Sequence, residues 1–455
     1  MSNPLLSLVR VPDLRKKLLI TIGLLAIYRI GFHLPLPGVN LEELQRIQTD
    51  LFSGSPLGAL FGMMNMLTGA GIGQAVVFSL GVMPYISASI IFSLLVKVVP
   101  SLEALQKEGP AGTRKINQYT RLLTVPICVL QAFFVCQGVL RNPQFGLFDD
   151  ASNPYTLGFY VLHILVLTAG TIFVMWLGEQ LTEHGIGNGI SLIIMSGIIA
   201  DMPSAIASHL ANSYGDDRIT NLLYLGAVWV VIVIVIVYIT RGQRRIPIQQ
   251  AKLTKGRSTM GGQKHYLPLR INQAGVMPII FASALFLVPQ MLGQIPGLSF
   301  LRDTFGSTAG FWYITTFSAL IFFFSFFWNS LMFQPTEIAN NLKEHGSFVP
   351  GIRPGKKTAE YLERVMTRIT VAGAAFLAAI AILPNIVTDS MNVSFQVAAF
   401  LGGTSVLIVV GVALDLVDKV NAYLVMRSYE GIVGKGNKRG PEEGGAGWAG
   451  RRRKA

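Results

Sequence analysis

Side chains able to do chemistry are scarce in the apolar parts of this 455-residue chain. Arg29 and His163 are the ionisable groups set within long apolar runs, and Cys128 and Cys136 are the two thiols. A carrier coupled to protons or ions needs ionisable groups near the membrane midplane. Arg29 either snorkels or pairs structurally, or else serves transport. His163, alone in its run, packs or caps rather than relays. The cysteines lie eight residues apart on one apolar stretch, about 12 Å along a helix, which is beyond disulfide reach. No histidine lies near enough to share a metal with them, so they read as small buried hydrophobes. Gly185-Ile186-Gly187-Asn188-Gly189 looks like a phosphate cradle, but it follows a membrane helix rather than a strand, so a tight turn between close helices is expected. No Gly-x-Ser-x-Gly elbow, phosphate loop or His/Cys/Asp set of metal-ligand spacing occurs. Neither catalysis nor a cofactor or metal is expected.

The cationic residues are plentiful and are grouped. Residues 241–270 carry Arg241, Arg244, Arg245, Lys252, Lys255, Arg257, Lys264 and Arg270 with no acid. Residues 335–368 carry six more, among them Arg353, the only charge between Gly346 and Gly355 and framed by Pro350 and Pro354. A guanidinium on so restricted a backbone suits bidentate binding of a carboxylate or phosphate.

The elements that position these groups follow from composition. Apolar residues make up 51% of the chain and charged residues only 13%, too little charge to cover a soluble protein of this length. Ten apolar stretches lie near 18–34, 75–98, 122–140, 156–178, 186–200, 221–239, 275–293, 310–333, 369–387 and 398–414. Each is long enough, or nearly so, to cross about 30 Å of hydrocarbon, and an isolated strand there would leave its backbone unpaired, so helices are expected. With the N-terminus in the cytosol, 32 of the 37 Lys and Arg fall on the cytosolic side, which supports an even span count and two cytosolic termini. The hinge carrying Glu179, Glu183 and His184 departs from this pattern, having no Lys or Arg. The first apolar run ends in Pro-Leu-Pro-Gly, so no cleaved signal peptide is expected. The fold expected is an all-α polytopic membrane protein of ten transmembrane helices in two inverted five-helix halves. The halves would be 1–215 and 216–430, and 431–455 would be a disordered basic tail.

Several motifs resemble the SecY family, the central channel subunits of the bacterial Sec machinery. They are Gly81-Val82-Met83-Pro84-Tyr85-Ile86-Ser87-Ala88-Ser89-Ile90, then Trp176-Leu177-Gly178-Glu179-Gln180 with Gly185 to Ser191, then Arg241 to Ile246, Phe348 to Gly355, and Gly402-Gly403-Thr404-Ser405. They run in the family's order from about residue 15 to 430. The resemblance implies a passive protein-conducting channel in a bacterial plasma (inner) membrane, which passes unfolded precursors across and releases transmembrane segments sideways into lipid. It implies a pore ring of Val82, Ile86, Ile190, Ile194, Ile280 and Ile408, and a plug near 57–68 with Leu57, Phe61, Met63, Met64, Asn65 and Met66. A lateral gate would use Ser87, Gln131 and Asn272. The SecA motor or the ribosome would dock on Arg241, Arg244, Arg245, Lys252, Lys255, Arg257 and Arg353. Implied partners are SecE-type and SecG-type small membrane subunits, SecA, the ribosome, signal peptides and precursors, and the lipid bilayer. The rival readings are a secondary transporter or flippase, weakened by the bare spans, and an intramembrane enzyme, which lacks its catalytic groups.

Overall fold

The computed structural model describes residues 12–40, 75–137, 156–212, 217–250, 253–255, 258–260, 264–292, 300, 304–305, 310–391, 397 and 403–436. Its helices are α1 (Pro12–Gly31), α2 (Met83–Val98), α3 (Pro100–Lys107), α4 (Pro110–Val135), α5 (Leu157–His184), α6 (Gly189–Asn212) and α7 (Asp217–Arg241). Strands β1 (Gln243–Gln250), β2 (Leu253–Lys255), β3 (Ser258–Met260) and β4 (Lys264–Arg270) follow. Then come α8 (Met277–Leu292), α9 (Phe311–Met332), α10 (Pro335–Glu344), β5 (Ser347–Phe348), α11 (Lys356–Met391) and α12 (Gly403–Gly436).

Every one of the ten apolar stretches carries a helix: α1, α2, α4 to α9, α11 and α12. By length and mean hydropathy alone, five helical stretches among the described residues could cross a membrane, and six if α2 and α3, bent by 98° at their junction, count as one. The bend has a local cause. Pro100 cannot continue the hydrogen-bonded spiral and pushes Val99 to an extended conformation at φ −98° and ψ 111°. Several hydroxyls inside the apolar helices bond back to their own backbone, as in Thr124 to Thr120 (2.8 Å) and Ser325 to Ile321 (2.7 Å), which keeps these from being stranded in hydrocarbon. The outer faces stay apolar and exposed, for example at Leu122, Val231 and Phe323, as helices facing lipid require.

Two apolar cores are built this way. One centres on α1, α5 and α6 and includes Tyr28, Val82, Leu177 and Ile193, joined by Ile408 of α12. The other packs Ile236, Ile279, Ile321 and Leu377 from α7, α8, α9 and α11. Val276, just before α8, packs against both.

The basic stretch 241–270 differs from the loop expected there. It folds into antiparallel strands, β4 pairing with β1 from Gln243↔Arg270 to Gln249↔Lys264 and β5 joining the other edge of β1 at Gln249↔Phe348. Lys255 closes a second small hairpin opposite Ser258. The last helix continues through Gly436, into the segment expected to be tail.

Candidate functional site

Between α5 and α6 the chain reverses on glycine. Gly185 ends α5, and Gly187 sits at φ +100°, which favours a residue without Cβ. The Asn188 side chain then caps α6 by accepting the amides of Ile190 (3.1 Å) and Ser191 (3.4 Å). A Cβ at Gly189 would lie 1.9 Å from the Gly178 carbonyl oxygen, so the two helices touch backbone to backbone. Ile190 and Ile194 then follow one turn apart along α6.

There they meet Val82, the residue capping α2, Ile86 of the first turns of α2, and Ile408 of α12, all in one apolar cluster. Val82, Ile194 and Ile408 are buried, and Ile86 and Ile190 are half-buried. Five of the six expected ring positions therefore share one cluster. Ile280 does not join it; it is half-buried, and its neighbour Ile279 is fully buried in the second core. Such a site makes no directional bonds. An apolar constriction of this chemistry can exclude water by dewetting and offers only apolar contact.

The three expected gate residues are all half-buried, Ser87 on α2 and Gln131 on the adjoining α4. Asn272 lies on the link before α8 rather than on the helix itself, lining an open pocket with Ser325, Asn329 and Thr370. The Asn329 amide there donates to Thr370 Oγ1 at 2.8 Å. No hydrogen bond joins Ser87, Gln131 and Asn272 to one another among the described residues. The expected plug residues Leu57, Phe61, Met63, Met64, Asn65 and Met66 lie outside the described residues.

The sheet sorts the basic residues by register. Ile246, Ile248 and Leu269 turn inward, and Ile246 and Leu269 join Val349, Leu362, Val365 and Met366 in a further core. Partners directly opposite in an antiparallel ladder share a face. Arg245, Tyr266, Lys264 and Arg270 therefore occupy the other, exposed face of the sheet, with Arg244 exposed at its end. Arg241 is held differently, 3.7 Å from Asp418 of α12. Lys252 and Arg257 lie outside the described residues.

Arg353 stands exposed on a turn with Gly351 (φ +82°) and Gly355 (φ +96°) on either side. Both glycines hold backbone conformations that side chains disfavour. The turn is anchored beneath by Val349 and Ile352, which pack in the sheet core, and Thr358 Oγ1 donates to the Arg353 carbonyl at 2.9 Å. None of the ion pairs among the described residues uses Arg353.

The partners in three polar contacts escape sequence reasoning. Arg29 pairs with Asp201 of α6 at 3.4 Å, which gives it a structural partner; the lone acid just past the fifth apolar stretch is the available signal. Arg121 pairs with Glu179, so the acidic hinge that breaks the charge pattern holds a cation from α4. His163 is buried between the carbonyls of Phe159 (2.8 Å) and Pro37 (3.1 Å), tying α5 to the segment after α1. Both cysteines are buried and unbridged. Among the described residues no His/Cys/Asp/Glu group could hold a metal.

This is an α-helical membrane protein with the fold of the protein-conducting channels. A solved structure described as a protein conducting channel matches with a TM-score of 0.59 at 19% identity, covering 90% of this chain and 92% of the other. Sec61 from a canine ribosome–channel complex of the endoplasmic reticulum matches with a TM-score of 0.56 at 18% identity, again covering 90% and 92%. The SecY family model matches residues 76–417, and the chain belongs to the SecY family. The protein translocase subunit SecY of Streptomyces scabiei is 42% identical, covering 93% of this chain and 98% of the relative. Those of Thermotoga maritima and Escherichia coli are each 39% identical over 95% and 94% of this chain and 97% and 96% of their own lengths. These relatives are channel subunits rather than catalytic enzymes, and the chain is a multi-pass membrane protein.

Proposed function

We propose that this chain is the central subunit of a Sec translocase in a bacterial inner membrane, a passive conduit for unfolded polypeptides that also releases apolar segments sideways. The observation that carries this reading is the apolar cluster of Val82, Ile86, Ile190, Ile194 and Ile408, drawn from α6, α12 and the start of α2 in a fold shared with protein-conducting channels. An apolar ring excludes ions at rest and binds no particular sequence, which is what a conduit for many clients requires. In this reading residues 1–215 and 216–430 are the two halves, ten helices cross the bilayer, and residues 57–68 plug the ring from outside. Ser87, Gln131 and Asn272 line a lateral seam, and Ile280 completes the ring when the seam moves.

Energy comes from partners. SecA or a ribosome would dock on the exposed cations of the sheet and on Arg353, and SecE-type and SecG-type subunits would clasp the apolar outer faces. Two observations support this: the structural neighbour Sec61 comes from a ribosome–channel complex, and residues 241–270 contain no acid. The test is to replace Ile86, Ile190 and Ile408 together with Ser and record ion current across planar bilayers. The expected result is a resting leak that the parent lacks. Conductance at the parental level removes the ring assignment.

A further inference from the structure

Two hydroxyls from outside α6 hold the reversal that leads into it. Thr21 of α1 is buried, and its Oγ1 donates to the Lys17 carbonyl at 2.9 Å. The same oxygen accepts the backbone amide of Ile186 at 3.3 Å. Gly185 permits this approach, since a Cβ there would lie 2.7 Å from Thr21 Oγ1. The Ile186 side chain is itself buried with Leu14 of α1 and Val420 of α12. At the far end of the reversal, Thr182 Oγ1 donates to the Gly178 carbonyl at 2.8 Å and accepts the Gly189 amide at 2.9 Å. This hydroxyl bridges the two backbones where they touch. Ile190 sits over the same contact, because a Cβ at Gly178 would lie 3.0 Å from Ile190 Cγ1. The amides of Gly189, Ile190 and Ser191 are ones that a helix cannot satisfy from within. All three end on side-chain oxygens, of Thr182 and Asn188. Thr120 and Thr124 donate back to their own helix; Thr21 and Thr182 do so and also accept an amide from beyond it.

We propose that Thr21 and Thr182 are positioning residues for the apolar ring, fixing the reversal from α5 to α6 and so the place at which Ile190 meets Val82, Ile86 and Ile408. The inference rests on the ring reading above. Neither threonine belongs to the apolar cluster, so each acts on it only through the backbone that carries Ile190. An apolar constriction works by keeping water out, and one displaced side chain is enough to let water and ions in. The two hydroxyls differ in weight. Thr21 and Ile186 are both buried, so an Ile186 amide deprived of Thr21 has no water to turn to. Thr182 is exposed, and water can replace part of what its hydroxyl supplies.

The full chain is reconstituted with its partner subunits in planar bilayers, and ion conductance is recorded at rest, with no precursor present. Thr21→Val keeps the shape and removes the hydroxyl. It should raise the resting conductance about five-fold or more, the factor that one lost buried hydrogen bond supplies. Thr182→Val should raise it less. Thr21→Ser and Thr182→Ser keep the hydroxyl and should stay at the parental conductance, and helical content should be the same in all four. A merely structural role would lower the thermal midpoint without a resting leak. Parental conductance in Thr21→Val, or a serine variant that leaks as its valine counterpart does, overturns the inference. Should Thr21→Val fail to assemble, Thr182→Val decides in its place, and parental conductance there has the same consequence. The triple replacement of Ile86, Ile190 and Ile408 by Ser is recorded alongside. If it leaks while the threonine variants stay tight, the positioning role falls alone. If it stays tight, the ring reading falls and takes the positioning role with it.

Discussion

The cluster around Val82 and the sheet around Ile246 are built from similar apolar residues but present opposite surfaces. The first gathers apolar side chains from helices distant in sequence. The second uses its aliphatic residues as a base, and register alone decides which cations face outward. In the proposed function the difference separates two tasks. A conduit that accepts any sequence must avoid specific bonds, whereas a dock for one partner must hold a few charges in fixed directions. Arg353 shows the second strategy most clearly, since two glycines with positive φ and the buried Val349 fix its turn.

The sharpest way to break this contrast is Arg353→Glu. Losing one member of a desolvated charge pair costs about 2–5 kcal/mol, or roughly 30- to several thousand-fold in affinity. Binding of the motor to vesicles should fall by that amount and precursor transport should cease, while the purified protein keeps its helical content and thermal midpoint. Normal transport, or failure to insert, would make Arg353 a folding residue instead. A smaller effect is expected at Gly189→Ala, which tests whether the backbone contact with Gly178 positions Ile190. The added methyl must force α5 and α6 apart, and overpacking of this kind costs about 1–3 kcal/mol. A lower thermal midpoint in detergent should accompany a measurable ion leak; an unchanged midpoint would mean that the helices separate freely. The smallest effect belongs to Lys255→Glu, at the end of a short hairpin. Docking should weaken by at most about 1 kcal/mol, and the loss should fade as salt is raised. A loss as large and salt-resistant as that of Arg353→Glu would place the two cations in one rigid site.

Much of the architecture is legible in the sequence. Each of the ten apolar stretches that hydropathy picks out does carry a helix, because hydrocarbon leaves a backbone little other choice. Lysine and arginine counts locate the two basic segments, and the motifs around Val82 and Ile190 point to residues that do pack together. The strands at 243–250 and 264–270 are harder to see, although Ile246/Ile248 and Leu267/Leu269 alternate as strand residues do. Pro247 and Pro268 obscure them. They stand in pairs of the same ladder class, where a missing amide hydrogen costs no ladder bond. The pairs Arg29–Asp201 and Arg121–Glu179 are not readable from spacing, since each joins helices brought together only by tertiary packing.

The cluster at Val82 also has a history within each molecule's synthesis. Its last contributor, Ile408, leaves the ribosome roughly 11–43 s after Ile194 at about 5–20 residues per second. For that interval the nascent protein sits in the bilayer with α2 and α6 placed and their closing partner not yet made. A chain arrested or cleaved before Gly403 keeps this gap permanently, with four apolar side chains arranged around a missing fifth. In the proposed function such fragments would lack the seal that lets a membrane hold its ion gradients.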